Sequence, residues 1–210
     1  MVGRARPADT VDMTRPPTVL VLIGPSASGK SNLLAELHRR GLVRVHPTWT
    51  TRPPRPGEES EPLAHVFVGD DTFDRFGRSG FFLCTGRIRG LPYRYGLPRF
   101  HGEPGGALDT VVLRAGYVTE FRRLHPGSIV YMITTAPEIL SGRLSRRDDP
   151  GHVVAARTAA DRYEGALGSS LADRTIPNTG SVSEMADTVE TGLVADGTLT
   201  CPTAPLGVPA

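Results

Sequence analysis

The chain has 210 residues, 39% of them hydrophobic and 22% charged, and its 24 basic and 22 acidic side chains leave a net charge of +2. That length fits one domain with extra tails, and the near balance of charge excludes a polybasic nucleic-acid coat and an acidic tail. No apolar run approaches the roughly 18 residues that a membrane span needs. Cys84 and Cys201 lie too far apart to suggest a disulfide framework or a zinc site. The expectation is a cytoplasmic protein with neither nucleic acid nor membrane as partner.

In chain order, residues 1–17 carry Arg, Pro and Asp without apolar periodicity and read as a disordered tail. A strand is expected over 18–23, a helix over 30–40 and a short strand over 43–45, followed by a Pro-rich, Arg-bearing loop from Pro47 to Pro62. A strand at 66–68, a helix at 71–78 and a strand at 81–83 come next, then a Gly/Arg/Tyr segment to Gly96. The stretch from His101 to Asp109 is too rich in Gly and Pro for a helix. Val111–Leu113 and Ile129–Ile133 are continuous apolar runs, the pattern of strands buried on both faces of a parallel sheet. Helices at about 137–147, 152–167 and 183–194 complete a βα alternation, so the fold class is α/β. From Gly197 the chain reads as a second disordered tail. The folded domain is therefore placed at 18–196.

Gly24-Pro25-Ser26-Ala27-Ser28-Gly29-Lys30-Ser31 satisfies GxxxxGK[ST], directly after the apolar run VLVLI and directly before the helical pattern KSNLLAELHRR. Glycines let such a loop close around a phosphate, successive N–H groups and a helix N-terminus point at the anion, Lys30 neutralises charge, and the Ser31 hydroxyl can ligate Mg²⁺. Lys30 is the only lysine in the chain, so the other 23 basic residues are all Arg. A compact ammonium in a tight phosphate cradle is a position where the two are not interchangeable. Further on, the loop TTRPPRPGE sets Arg52 and Arg55 three residues apart on a backbone stiffened by Pro53, Pro54 and Pro56. Two planar guanidinium forks with hydroxyls nearby suit a bound phosphate.

GPSASGKS followed by TTRPPRPGE resembles the guanylate kinase family, and HVFVGDDTF, YRYG, PEILSGRLSRR, Arg157 and Asn178 continue the resemblance over about residues 18–194. The resemblance implies a P-loop NTPase three-layer fold with a parallel-sheet core, an acceptor-binding insert at about 46–100 and a mobile lid at about 143–157. It further implies ATP and Mg²⁺, with Gly24 to Ser31 holding the donor phosphates and Asn178 near the adenine. Thr48, Arg52, Arg55 and Tyr95 would hold the acceptor phosphate. Lys30, Arg147 and Arg157 would act on the transferring group.

Departures from the family pattern bear on the acceptor. His65 stands where guanylate kinases usually have Tyr, Cys84 where they have the Glu that accepts from guanine, and Leu113-Arg114-Ala115-Gly116 lacks their acidic residues. A thiol is a weak acceptor and leaves guanine donors unpaired. A second branch, resembling ribose 1,5-bisphosphate phosphokinases, handles a phosphorylated sugar without a base, and Gly116 and the run from Pro137 to Leu144 resemble it. The complete TTRPPRPGE loop resembles a true guanylate kinase. The expected acceptor is thus GMP or ribose 1,5-bisphosphate. Two rivals are a non-catalytic guanylate-kinase-like binding module and an ATP-binding regulator.

Overall fold

A computed structural model describes residues 18–55, 58, 63–88, 90–101, 107–145 and 151–199, without the side chains of residue 145 and residues 152–159. The tail expected at 1–17 lies outside the described residues. At the other end, order extends past 196: the Thr198 and Leu199 amides both donate to the Leu193 carbonyl, and Leu199 packs on the core.

The central sheet has five strands in the order β2-β7-β1-β8-β9, all parallel: β1 (Val19–Ile23), β2 (Val43–Val45), β7 (Leu108–Val112), β8 (Ser128–Thr134) and β9 (Arg174–Pro177). β1 occupies the middle, and all five of its residues are buried. Its side chains divide by the two-residue period of a strand. Leu20 and Leu22 face a layer built by Leu33, Leu34 and Leu37 of α1 (Lys30–Arg39) and Met185, Ala186, Val189 and Leu193 of α6 (Val182–Ala195). Val19, Val21 and Ile23 face Val118 and Phe121 of α3 (Val118–Leu124) and Leu167 and Leu171 of α5 (Gly151–Leu171). The result is three layers, helix on sheet on helix. α6 opens with a capping box, in which the Ser181 hydroxyl accepts from the Glu184 amide and the Glu184 carboxylate accepts from the Ser181 amide. No helix among the described residues is long and apolar enough to cross a membrane.

Between β2 and β7 the chain builds a second sheet, in the order β4-β3-β6-β5: β3 (Thr48–Thr50), β4 (His65–Phe67), β5 (Phe82–Arg87) and β6 (Arg94–Pro98). Trp49 anchors it by edge-on packing against Phe76, Phe81 and Phe82, the first of these on α2 (Asp70–Arg78). Arg94 of β6 ties down α2 through Asp74 and, at 2.6 Å, Asp70. The Thr48 hydroxyl donates to the Val112 carbonyl at 3.4 Å and joins the small sheet to the large one.

Several elements differ from the sequence expectation. Thr48–Thr50 is a strand inside the stretch read as loop, because it pairs with both β4 and β6. β5 runs to Arg87, and β6 replaces the expected irregular segment, because the two pair antiparallel with a bulge between Phe82 and Cys84. β7 begins at Leu108, α3 follows a 3₁₀ turn at Ala115–Tyr117, and β9 adds a strand at Arg174–Pro177; none of these was foreseen. α4 (Pro137–Ser145) and α5 are present, the latter ending at Leu171.

Candidate active site

The phosphate-loop motif lies between β1 and α1, at the carboxyl end of the central strand, where open α/β sheets place their ligands. Its glycines are required by geometry. Gly24 has φ +136°, and a Cβ there would meet the Ile133 carbonyl oxygen at 2.3 Å; Gly29 has φ +102°, and a Cβ there would meet the Asn178 amide nitrogen at 2.4 Å. No side chain caps the first turn of α1, so its amide dipoles face the loop. Lys30 reaches back along the loop and donates to the carbonyls of Gly24 at 2.8 Å and Pro25 at 2.7 Å and to the Ser28 hydroxyl at 3.3 Å. The Ser31 hydroxyl has no hydrogen-bond partner among the described residues.

Three consecutive loop residues are held by three different parts of the fold. The Ser26 amide and hydroxyl donate to Asp161 Oδ1 of α5 at 2.9 and 3.1 Å. Arg143 of α4 donates to the Ala27 carbonyl at 3.1 Å, which supports a non-glycine residue at φ +63°. The Ser28 carbonyl accepts from Asn178 Nδ2 at 2.7 Å and from the Thr135 hydroxyl at 3.2 Å. Asn178 is buried, with its amide nitrogen committed to this carbonyl beneath the loop.

From the loop a cleft of about 180 Å³ runs to the second sheet, where Thr48, Arg52, Arg55, Glu58, His65 and Tyr95 line its far end. Arg52 is 4% exposed. It donates to Glu58 at 2.7 Å and to the Pro53 carbonyl at 2.8 Å and lies over the Phe67 ring. The Arg55 amide donates to the same Glu58 oxygen at 2.9 Å, and its guanidinium to the other at 3.2 Å. Burial alone would push the Glu58 carboxyl up, but these hydrogen bonds outweigh it and hold the group at about 2. Glu58 thus braces both guanidinium groups. His65 packs near Tyr95, with ring centroids 6.5 Å apart. Burial, reinforced by the Arg52 charge, brings its imidazole down to about 4. Its Nδ1 is buried with no hydrogen-bond partner among the described residues.

The wall between the two ends carries Cys84, Gly86, Arg87, Arg114 and Tyr117. Cys84 is half-buried, and burial pushes its thiol up, away from the reactive thiolate. A Cβ on Gly86 would fall 1.5 Å from the Tyr117 hydroxyl, so the tyrosine occupies the space that a side chain at 86 would take. Arg114 Nε donates to Glu164 Oε1 at 3.0 Å, and the Ala115 amide donates to Oε2 at 2.8 Å. Glu164 is 3% exposed. Among the described lining residues Glu58 is the one carboxylate, set against Lys30, Arg52, Arg55, Arg87 and Arg114.

The structure therefore brings Lys30, Ser31, Thr48, Arg52, Arg55 and Tyr95 around one cleft. Arg147 lies outside the described residues, and Arg157 is placed on α5 by its backbone alone. The sequence reading missed Glu58 as the brace of the arginine pair, although its place three residues after Arg55 could have suggested it. It also missed Thr135, Asp161, Glu164 and Tyr117, which no local motif marks; Arg143 falls in the quoted run PEILSGRLSRR, and the structure adds its bond to the Ala27 carbonyl.

A glycine phosphate loop at the end of a parallel sheet, facing paired arginines on the loop that follows β3 of an inserted sheet, defines a P-loop kinase. No family model matches the chain. It is 31% identical over 195 residues to a guanylate kinase of Streptomyces coelicolor, covering 89% of this chain and 95% of that one. It is 31% identical over 170 residues to the ribose 1,5-bisphosphate phosphokinase PhnN of Acidiphilium cryptum, covering 79% and 88%. A guanylate kinase of Sphingopyxis alaskensis is 33% identical over 159 residues, covering 72% and 71%. The crystal structure of guanylate kinase from Anaplasma phagocytophilum superimposes with a TM-score of 0.66 over 89% of each chain at 22% identity, which shows the fold. The chain belongs to the guanylate kinase-like family of P-loop kinases.

Proposed function

We propose that the protein transfers the γ-phosphoryl group of ATP to the phosphate of a small phosphorylated sugar that carries no base, of the ribose 1,5-bisphosphate kind. The observation that carries this reading is the charge of the cleft wall. Guanine recognition needs a carboxylate to accept from its ring and exocyclic N–H groups, yet the one described lining carboxylate, Glu58, is committed to Arg52 and Arg55. Cys84 cannot substitute, and Tyr117 narrows the wall at Gly86. Arg87, and Arg114 through the guanidinium nitrogens that Glu164 does not take, add further donors to the wall, suited to a second phosphate on the same acceptor. GMP is the second reading, favoured by the intact TTRPPRPGE loop and by the relatives named guanylate kinase.

The residues fit a nucleotide triphosphate with its metal. Gly24 and Gly29 stand where a Cβ would collide, the α1 N-terminus lacks a side-chain cap, and the Ser31 hydroxyl is exposed in the cleft. Ser31 would hold Mg²⁺, which supplies charge neutralisation between the donor phosphates when bound. Lys30 exchanges its loop carbonyls for phosphate oxygens. Arg52 and Arg55, pre-aligned by Glu58, orient the acceptor phosphate with help from Thr48 and Tyr95. Its ionised oxygen is already nucleophilic, so no general base is required; the γ-phosphorus bond to that oxygen forms as the bond to the leaving ADP oxygen breaks. Catalysis is positioning and charge neutralisation, with Arg147 and Arg157 as proposed participants. A cytoplasmic setting follows from small phosphorylated partners.

The test is ADP production from ATP and Mg²⁺ with ribose 1,5-bisphosphate, GMP, dGMP and the other nucleoside monophosphates as separate acceptors and Lys30→Ala as the blank. Turnover stimulated most by ribose 1,5-bisphosphate supports the reading, and GMP as best acceptor overturns it in favour of the second. ATP binding without stimulation by any acceptor would point to the regulator or the binding module.

A further inference from the structure

The grip on the phosphate loop is uneven in kind. Arg143, Asn178 and Thr135 all donate to loop carbonyls, acceptors that an anion does not use. Asp161 does the reverse. Its Oδ1 takes the Ser26 amide at 2.9 Å together with the Ser26 hydroxyl at 3.1 Å, and Ser26 is the third residue of the eight-residue motif whose N–H groups cradle phosphate. Among the described side chains holding residues 26–28, it is the one that consumes a backbone donor.

A carboxylate oxygen and a phosphate oxygen are the same kind of acceptor to an N–H group. We propose that Asp161 is an internal competitor for the donor triphosphate: it occupies the Ser26 amide and hydroxyl, and nucleotide binding displaces it from the loop. The inference rests on the nucleotide-binding reading of that loop. Two further observations support it. Asp161 Oδ2 is buried with no hydrogen-bond partner among the described residues, so the carboxylate is only half satisfied where it sits. A phosphate group brings more acceptor oxygens and more charge to the same donors and repels the carboxylate. Secondly, α5 has a separate anchor three residues on, where buried Glu164 accepts from Arg114 and from the Ala115 amide. Releasing Asp161 therefore frees one contact of α5 and leaves the helix docked.

The experiment is equilibrium binding of ATP, ADP and adenosine, with Mg²⁺, to the full chain and to Asp161→Asn and Asp161→Ala. Asn keeps an acceptor oxygen for Ser26 and removes the charge, so it carries the test even where Ala fails to fold. The expected result is ATP binding tightened on the order of tenfold in both variants, ADP tightened less and adenosine unchanged. Amide exchange over residues 160–163 should also rise on adding ATP to the native protein and not to the variants, while residues 164–171 stay protected by the Glu164 anchor. Unchanged or weaker ATP affinity in folded Asp161→Asn overturns the proposal and makes Asp161 a support of the loop. Absence of ATP binding in all three proteins overturns the nucleotide reading itself, and the competitor with it.

Discussion

Gly29→Ala tests whether the phosphate loop is shaped by close packing as well as by its backbone freedom. Two costs are visible. The residue sits at φ +102°, which costs a side-chain-bearing residue about 1–2 kcal/mol. The new Cβ would also lie 2.4 Å from Asn178 Nδ2, and Asn178 cannot retreat without lengthening its 2.7 Å bond to the Ser28 carbonyl. Losing that buried bond costs about 1–3 kcal/mol, so the expected destabilisation is about 3 kcal/mol. The assay is urea unfolding of a double-mutant cycle with Asn178→Ala. Removing the amide makes room for the Cβ, so the double variant should fall short of the sum of the singles by about 1–2 kcal/mol. Strict additivity would refute the packing argument and leave backbone strain alone. A Gly29→Ala protein as stable as the native one would refute both.

Three further outcomes are expected. The His65 imidazole is held at about 4 against an ordinary value of 6.5, so its contribution to stability is present above about pH 6.5 and is lost as pH falls through 4; His65→Gln should remove about 2–3 kcal/mol of that acid-side loss, read by urea unfolding at pH 7 and pH 4. Glu58 is held at about 2 against 4.5, so its contribution is present above 4.5 and disappears on acidification through 2; in Glu58→Gln the acceptor KM should rise severalfold while ATP affinity stays constant, and an unchanged KM would show that the arginine pair needs no brace. Arg114→Ala strands the buried Glu164 carboxylate on a single backbone amide and should lower stability by about 2–4 kcal/mol in a thermal melt, whereas Glu164→Gln, which keeps the Ala115 bond, should cost less.

The phosphate loop was legible because its chemistry is local: two glycines in conformations that other residues avoid, a lysine and a serine, bracketed by a strand and a helix. The arginine pair was legible for the same reason. What escaped was set by contacts distant in sequence. Thr48–Thr50 is a strand only because β4 and β6 flank it, and a three-residue run between Pro47 and Pro53 carries no periodicity to betray it. β9 presents one buried residue, Ile176, in four. Asp161 and Glu164 look like ordinary surface acids on a long helix; only docking of α5 against the loop and the Ala115 turn turns them inward. Asn178 was picked out by resemblance, and the structure adds its hold on the Ser28 carbonyl.

The order in which the chain emerges during synthesis gives the three-sided hold on the loop another meaning. Residues 26–28 are made before every one of these partners, which follow 107 positions later at Thr135, 116 at Arg143, 135 at Asp161 and 150 at Asn178. A nascent chain truncated before residue 178 possesses the whole phosphate-loop motif and lacks the amide that holds the Ser28 carbonyl from beneath. The carbonyl side of the loop therefore takes its final shape only once β9 has joined β8, so an ordered Ser28 carbonyl reports that the sheet is complete.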